Sequence, residues 1–135
     1  MPGDSSSGGN VRAVCVDHMT LPVGDLERSV AFYRAALVEG MGWVEIDEEG
    51  APAFGPPGSE DVILVEGGPL MPPIHLAFAA ASYAQVEGFH RAGLAAGGID
   101  NGPPGPRLKY SPGYHGAFLI DPDGHNVEAV WHQPQ

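Results

Sequence analysis

Hydrophobic and polar positions along this chain fall into short alternating runs interrupted by two stretches of helical period. Residues 11–23 are rich in β-branched and apolar side chains and predict a strand, with Val14, Val16, His18 and Thr20 on one face and Cys15, Met19 and Leu21 on the other. Asp25 stands where a helix would be capped. The helix is expected to reach about Leu37, with Leu26, Val30, Phe32, Tyr33 and Leu37 as its apolar stripe and Gly40 and Gly42 after its end. Three β-like runs follow, at 43–47, 51–55 and 62–66, and the Gly/Pro stretch 67–73 reads as a linker.

A second series then begins. A strand is expected at 74–80, a cap at Ser82, a helix at 83–96, a Gly/Pro-rich loop at 98–106, a weak strand around 107–110, and strands at 114–120 and 125–132. Between the last two, Asp121-Pro-Asp-Gly124 has the proline and glycine positions of a type I turn followed by a left-handed residue. Laying His18 on His75, a shift of 57 residues, also lays Phe32 on Phe89, Arg34 on Arg91, Leu37 on Leu94 and Gly40 on Gly97. The chain is therefore an internal repeat of a β-α-β-β-β unit, an α+β fold. Its expected limits are a disordered tail at 1–10 and one domain at 11–135, with module 1 at 11–67 and module 2 at 74–132.

The repeat changes how three polar residues are read. His18, His75 and Glu128 each fall mid-strand and face away from the side that covers the helix. His75 is flanked on its face by Ala77 and Ala79, so it projects into space that small residues leave open. Two imidazoles and one carboxylate form the set that holds a divalent metal on one side and leaves positions for substrate or oxygen. The residues alone leave two readings open, because a mid-strand histidine also serves as a hydrogen-bonded structural residue and a strand carboxylate also faces water. A shift of 64 for the last strand puts Leu64 opposite Glu128, so the acid has no partner in the first half, unless Glu66, two residues further on, approaches the same cavity.

Composition narrows the partners. Seventeen acidic residues against six basic give a formal charge of −11, which argues against nucleic acid and anionic membranes. The single Cys15 cannot form an internal disulfide, no apolar run approaches membrane-spanning length, and the first residues lack the basic start and apolar core of a signal peptide. The expected compartment is the cytoplasm.

From Val16 to His132 the chain resembles the vicinal oxygen chelate superfamily, which includes glyoxalase I, extradiol ring-cleaving dioxygenases, fosfomycin-modifying enzymes and bleomycin-resistance proteins. The resemblance is carried by Val16-Asp-His-Met-Thr-Leu-Pro-Val-Gly-Asp-Leu-Glu-Arg-Ser-Val-Ala-Phe-Tyr33, by Ile74-His-Leu-Ala-Phe78, and by Tyr114-His-Gly-Ala-Phe-Leu-Ile-Asp-Pro-Asp-Gly-His-Asn-Val-Glu128. It implies curved mixed sheets around a metal-binding cleft, a homodimer, and His18, His75 and Glu128 as ligands on the first, fifth and last strands. It also implies a divalent metal, Fe(II) ahead of Zn, Ni or Mn, and a small-molecule substrate.

The sequence departs from two members of that group. Glyoxalase I would carry a further acid near position 64, where this chain has Leu64. The extradiol signature would carry a tyrosine where this chain has Phe118 and a histidine near Lys109, Tyr110 or Ser111. Against a phosphonate stands the lack of concentrated positive charge beyond Arg107 and Lys109.

Tyr110, Tyr114 and His115 cluster ahead of the penultimate strand and are candidates for general acid-base chemistry, the alternative being packing. His125 is expected to be solvent-exposed in its turn, His90 to pack on its helix, and Glu45, Asp47, Glu48 and Glu49 to form a solvated turn. Two functions compete. One is a metal-dependent enzyme, dioxygenase-like or isomerase/lyase-like; the other is a bleomycin-resistance-type protein that sequesters a ligand without chemistry.

Overall fold

The computed structural model describes residues 16–134; the expected tail, Val14 and Cys15 lie outside the described residues. The elements are β1 (Met19–Val23), α1 (Leu26–Tyr33) running into a π-helical segment (Arg34–Glu39), β2 (Val44–Glu48), β3 (Ala51–Gly55) and β4 (Val62–Glu66), then β5 (His75–Ala79), α2 (Tyr83–Ala95), β6 (Ile99–Pro106), β7 (Tyr114–Ile120) and β8 (Asn126–His132). The β-α-β-β-β unit thus occurs twice. Both caps form as expected, with Asp25 Oδ1 accepting the Arg28 N–H and Ser82 Oγ the Gln85 N–H, each at 3.2 Å.

Each half makes its own four-stranded mixed sheet, in the orders β1-β4-β3-β2 and β5-β8-β7-β6. The outer pair β1/β4, like β5/β8, is parallel, and the remaining neighbours are antiparallel. One face of each sheet covers the helices. Leu21, Val23, Phe54 and Leu64 of the first sheet and Phe78, Leu119, Val127 and Ala129 of the second join Phe32, Leu37 and Phe89 of the helices in a single core. Each of the Val, Leu and Phe side chains removed from water there contributes about 1.5–3 kcal/mol. Because both sheets turn their helix-covering faces to that shared core, their other faces point outward, away from each other.

Beyond that core, two contacts between the halves stand out. The helices meet backbone to backbone, and a Cβ on Gly88 would fall 2.0 Å from the Gly40 carbonyl oxygen, so neither glycine has room for a side chain. The second contact is the turn at 121–124. Asp121 Oδ1 accepts the N–H groups of Asp123 and His125 at 3.0 and 2.8 Å, and Gly124 takes the expected left-handed conformation at φ 93°. Its other oxygen, Oδ2, accepts the Tyr33 hydroxyl of α1 at 2.5 Å. Burial foremost, and then the Asp121 charge, push the Tyr33 phenol well above its ordinary value, which keeps it a donor.

Four local expectations are corrected. The first α-helix ends at Tyr33 and continues in the wider π form, where Ala35, Ala36 and Leu37 are all buried. The loop at 98–106 is largely strand β6, and 107–110 is a turn; prolines are tolerated there because β6 is an edge strand with register shifts on both sides of Gly102. The run expected at 43–47 forms strand β2, so Glu45 and Asp47 are strand residues, and of the acids expected in a solvated turn Glu49 alone lies in one. His125 is buried, because its Nδ1 accepts the Ile74 N–H at 3.1 Å just ahead of β5. His90 packs as expected, with Nε2 2.9 Å from Asp100 Oδ1. No helix among the described residues is long and apolar enough to cross a membrane.

Candidate functional site

Alternation along β5, β8 and β7 decides what gathers on the outward face of the second sheet. The parallel register sets His75 beside Asn126 and Ala77 beside Glu128, and the antiparallel register sets Glu128 beside Phe118 and Val130 beside Gly116. His75, Glu128, Phe118, Gly116 and Tyr114 therefore share this face. His75 Nε2 lies 2.7 Å from Glu128 Oε1, and the Tyr114 hydroxyl donates a short hydrogen bond to Glu128 Oε2. Gly116 makes room for the carboxylate, since a Cβ there would come within 3.0 Å of Oε2. The Phe118 ring closes the other side, 6.0 Å from the His75 ring.

The electrostatics of this cluster are unusual for an outward face. Glu128 is fully buried, and among the described residues its one ionic partner is His75, whose own side chain is half exposed. A buried carboxylate needs compensation. Here one oxygen is held by a phenol and the other by an imidazole that solvent can reach. Burial first, then the hydrogen bond and charge of Glu128, raise the Tyr114 phenol above its ordinary value, so it stays protonated and orients the carboxylate.

The remaining candidates lie elsewhere. His18 sits just ahead of β1, half exposed, with Nδ1 2.9 Å from Asp17 Oδ1, in a recess of about 460 Å³ shared with Ser59 and Glu60 of the loop before β4 and with Ile63 of β4 in the first sheet. Among the described residues no three His, Cys, Asp or Glu side chains converge, so His18 does not join His75 and Glu128 within one chain. His115 alternates to the helix side, its ring 5.4 Å from Tyr83 and 5.3 Å from Trp131. Tyr110 is exposed and packs on Tyr114 at 4.9 Å, and the His132 ring stands perpendicular to Tyr114 at 5.2 Å. Tyr114 alone of the three acid-base candidates touches Glu128.

The register also corrects the comparison of the halves. Thr20 pairs with Ile63 as Ala77 pairs with Glu128, so Ile63, not Leu64, is the counterpart of the acid. Leu64 faces the core. Glu66 does not reach the outward face, because its Oε2 accepts the Leu26 N–H at 3.0 Å and caps α1. Sequence reasoning passed over Gly116, although the alternation Tyr114, Gly116, Phe118 marks it as facing the cluster.

The family model of the Glyoxalase/Bleomycin resistance protein/Dioxygenase superfamily matches residues 16–129. Among solved structures, a glyoxalase/bleomycin resistance protein from Albidiferax ferrireducens T118 is 30% identical, covers 90% of this chain and all of its own, and superposes with a TM-score of 0.68. The glyoxylase/bleomycin resistance protein/dioxygenase domain from Frankia sp. EAN1pec, 22% identical over 90% of this chain and all of its own, shares the fold with a TM-score of 0.64. A glyoxalase-related enzyme from Fulvimarina pelagi does so at 24% identity and 0.59, covering 90% of this chain and 88% of its own. No curated protein sequence matches the chain. With its two four-stranded mixed sheets, its two helices and a family match spanning nearly the whole described length, the chain belongs to the glyoxalase/bleomycin resistance protein/dioxygenase superfamily.

Proposed function

We propose that this protein is a divalent-metal-dependent enzyme of the vicinal oxygen chelate type, acting on a small oxygen-bearing substrate by dioxygenase-like or isomerase/lyase-like chemistry. The observation that carries the reading is Glu128: a fully buried carboxylate, with no lysine or arginine partner among the described residues, set 2.7 Å from a half-exposed imidazole on an outward face. An imidazole Nε2 and a carboxylate oxygen side by side fit two positions of a metal ligand set. The third would be His18 of a second copy, since one chain points its two outward faces apart. Val44 and Ile46 on the first outward face, and Ala77 and Ala79 on the second, are exposed apolar residues that such a homodimer would cover.

A divalent ion, Fe(II) in first place, would supply Lewis acidity for an oxyanion of the substrate. The chain's own part is then to position. Tyr114 holds Glu128 Oε2, leaving Oε1 and His75 Nε2 directed together, while Phe118 excludes water from their far side. Ile63 at the counterpart position supplies no second carboxylate to act as a base, which places glyoxalase I-like proton abstraction behind the dioxygenase-like reading.

The test is metal content of tag-free protein loaded anaerobically with Fe(II) or Zn(II), alongside His75→Ala, Glu128→Ala and His18→Ala, with solution mass from sedimentation. Stoichiometric metal in a dimer, lost in each variant, is the expected outcome. A wild-type protein that takes up no metal sinks the enzyme reading and leaves ligand sequestration in its place.

A further inference from the structure

Beside the His75–Glu128 cluster lies a recess of about 250 Å³ that the proposed function does not use. It is continuous with the cluster through two residues. Asn126 stands opposite His75 in the β5/β8 register, and Phe118 stands opposite Glu128. Its other walls are Asn101 and Gly102 of β6 and Arg107, Lys109 and Tyr110 of the turn that follows.

Its charge is out of character for the chain. The whole sequence has six basic residues against seventeen acidic, yet two of the six line this one recess. Among the described residues neither Arg107 nor Lys109 forms an ion pair. The nearest acid in sequence, Asp100, is engaged elsewhere, with Oδ1 2.9 Å from both His90 Nε2 and the Gly102 N–H.

The recess is also built in place. The Arg107 guanidinium is pinned by the carbonyls of Gly105 at 3.0 Å, Pro106 at 3.3 Å and Pro103 at 2.6 Å, and lies 5.4 Å above the Phe118 ring. These contacts occupy Nη1 and Nη2, leaving Nε–H without an acceptor among the described residues. Gly102 leaves space for this arrangement, since a Cβ would meet Phe118 at 3.0 Å and Arg107 Nη2 at 3.2 Å. Lys109 Nζ stands 5.2 Å from the Tyr110 ring, and the Asn101 amide donates to Asn126 Oδ1 at 3.2 Å. A fixed cation over an aromatic floor, ringed by amides, recognises an oxyanion on a partly apolar molecule.

We infer that Arg107 and Lys109 form an oxyanion subsite, so that the substrate of the adjacent His75–Glu128 centre is a small apolar molecule bearing a carboxylate or phosphoryl group. This specificity assignment rests on reading that centre as the place of chemistry. Anion binding itself needs no metal, so it is tested on the metal-free full chain in chelator.

The probes are benzoate, its neutral isostere benzamide, and phenyl phosphate, each titrated calorimetrically and by NMR shifts of the Asn101 and Asn126 side-chain amides. Benzoate or phenyl phosphate is expected to bind about tenfold more tightly than benzamide. Whichever of the two anions is tighter names the group. The preference should weaken with added salt and vanish in R107Q/K109Q. K109Q alone, at a side chain with no hydrogen bond to lose, should lower anion affinity about threefold with the fold intact, which keeps the test decisive if the Arg107 change disturbs the turn. Binding of both anions no tighter than that of benzamide, no saturable binding of either anion, or an unchanged preference in K109Q overturns the subsite. Loss of metal binding in the earlier experiment would leave this result standing.

Discussion

Across the first sheet, one row of neighbours on the outward face reads Thr20, Ile63, Ala53, Ile46; the matching row of the second reads Ala77, Glu128, Phe118, Gly102. Strand order, helix placement and core are repeated, while the second member of the row changes from a branched hydrocarbon to a buried carboxylate. The histidines diverge as well. His75 lies within its strand and pairs with Glu128, whereas His18 lies just before its strand and among the described residues pairs with Asp17. A duplicated fold thus keeps its inward face under packing constraint and leaves its outward face free to specialise.

The strongest way to break that comparison is to place an acid in the first half. Leu64→Glu would bury an unpaired charge at a fully buried core position and is expected to cost about 4 kcal/mol or more, enough to unfold much of the population. Ile63→Glu, one residue away but outward, should cost about 1 kcal/mol. Urea unfolding of both separates them, and equal losses would show the register of the first sheet to be wrong.

The seam between the halves comes next. Gly88→Ala forces a methyl against the Gly40 carbonyl and should cost about 3 kcal/mol. A variant as stable as the wild type would mean the helices do not touch there. Tyr33→Phe leaves Asp121 Oδ2 without its donor and should cost about 2 kcal/mol by thermal unfolding. Little change would deny the turn its role in tying the second half to the first.

The smallest effect concerns a surface difference. Arg34 holds Glu45 through two hydrogen bonds, Nε at 2.6 Å and Nη2 at 2.9 Å, while its repeat partner Arg91 makes no ion pair among the described residues. The Arg34 hydrogen bond holds the Glu45 carboxyl below its ordinary value. Its contribution is therefore complete above the ordinary glutamate range and lost as pH falls through the lower folded value. For a pair this exposed the amount is under about 1 kcal/mol. Arg34→Met should flatten the wild-type stability change between about pH 6 and about pH 3 by that amount, and an unchanged slope would remove the pair from the balance.

Much of the fold was legible because it rests on local patterns. Asp25 and Ser82 cap helices through their own side chains, Tyr114–Ile120 alternates cleanly, and the Asp121-Pro-Asp-Gly124 turn is specified by a carboxylate and a glycine within four residues. Of the site, the common face of His75 and Glu128 was legible for the same reason, since period-two alternation assigns it, whereas Tyr114 stood out only as one of a cluster with Tyr110 and His115. Where chain order and pleat suffice, the sequence by itself determined the outcome: two β-α-β-β-β units, their helix-covering faces, and an acid in the last strand with no acidic counterpart in the first half.

Only the tertiary structure decided what depends on register and on the meeting of distant segments. A slip of one residue moves every side chain to the other face, and so the counterpart of Glu128 became Ile63 rather than Leu64. The shared core turned the outward faces apart and separated His18 from His75. His125 was buried by a backbone N–H from residue 74, and Arg107 was set over Phe118 by carbonyls of a strand expected to be loop. No local periodicity encodes these meetings, whether the partner is far along the chain, as residue 74 is from His125, or only a few residues away, as Pro103 is from Arg107.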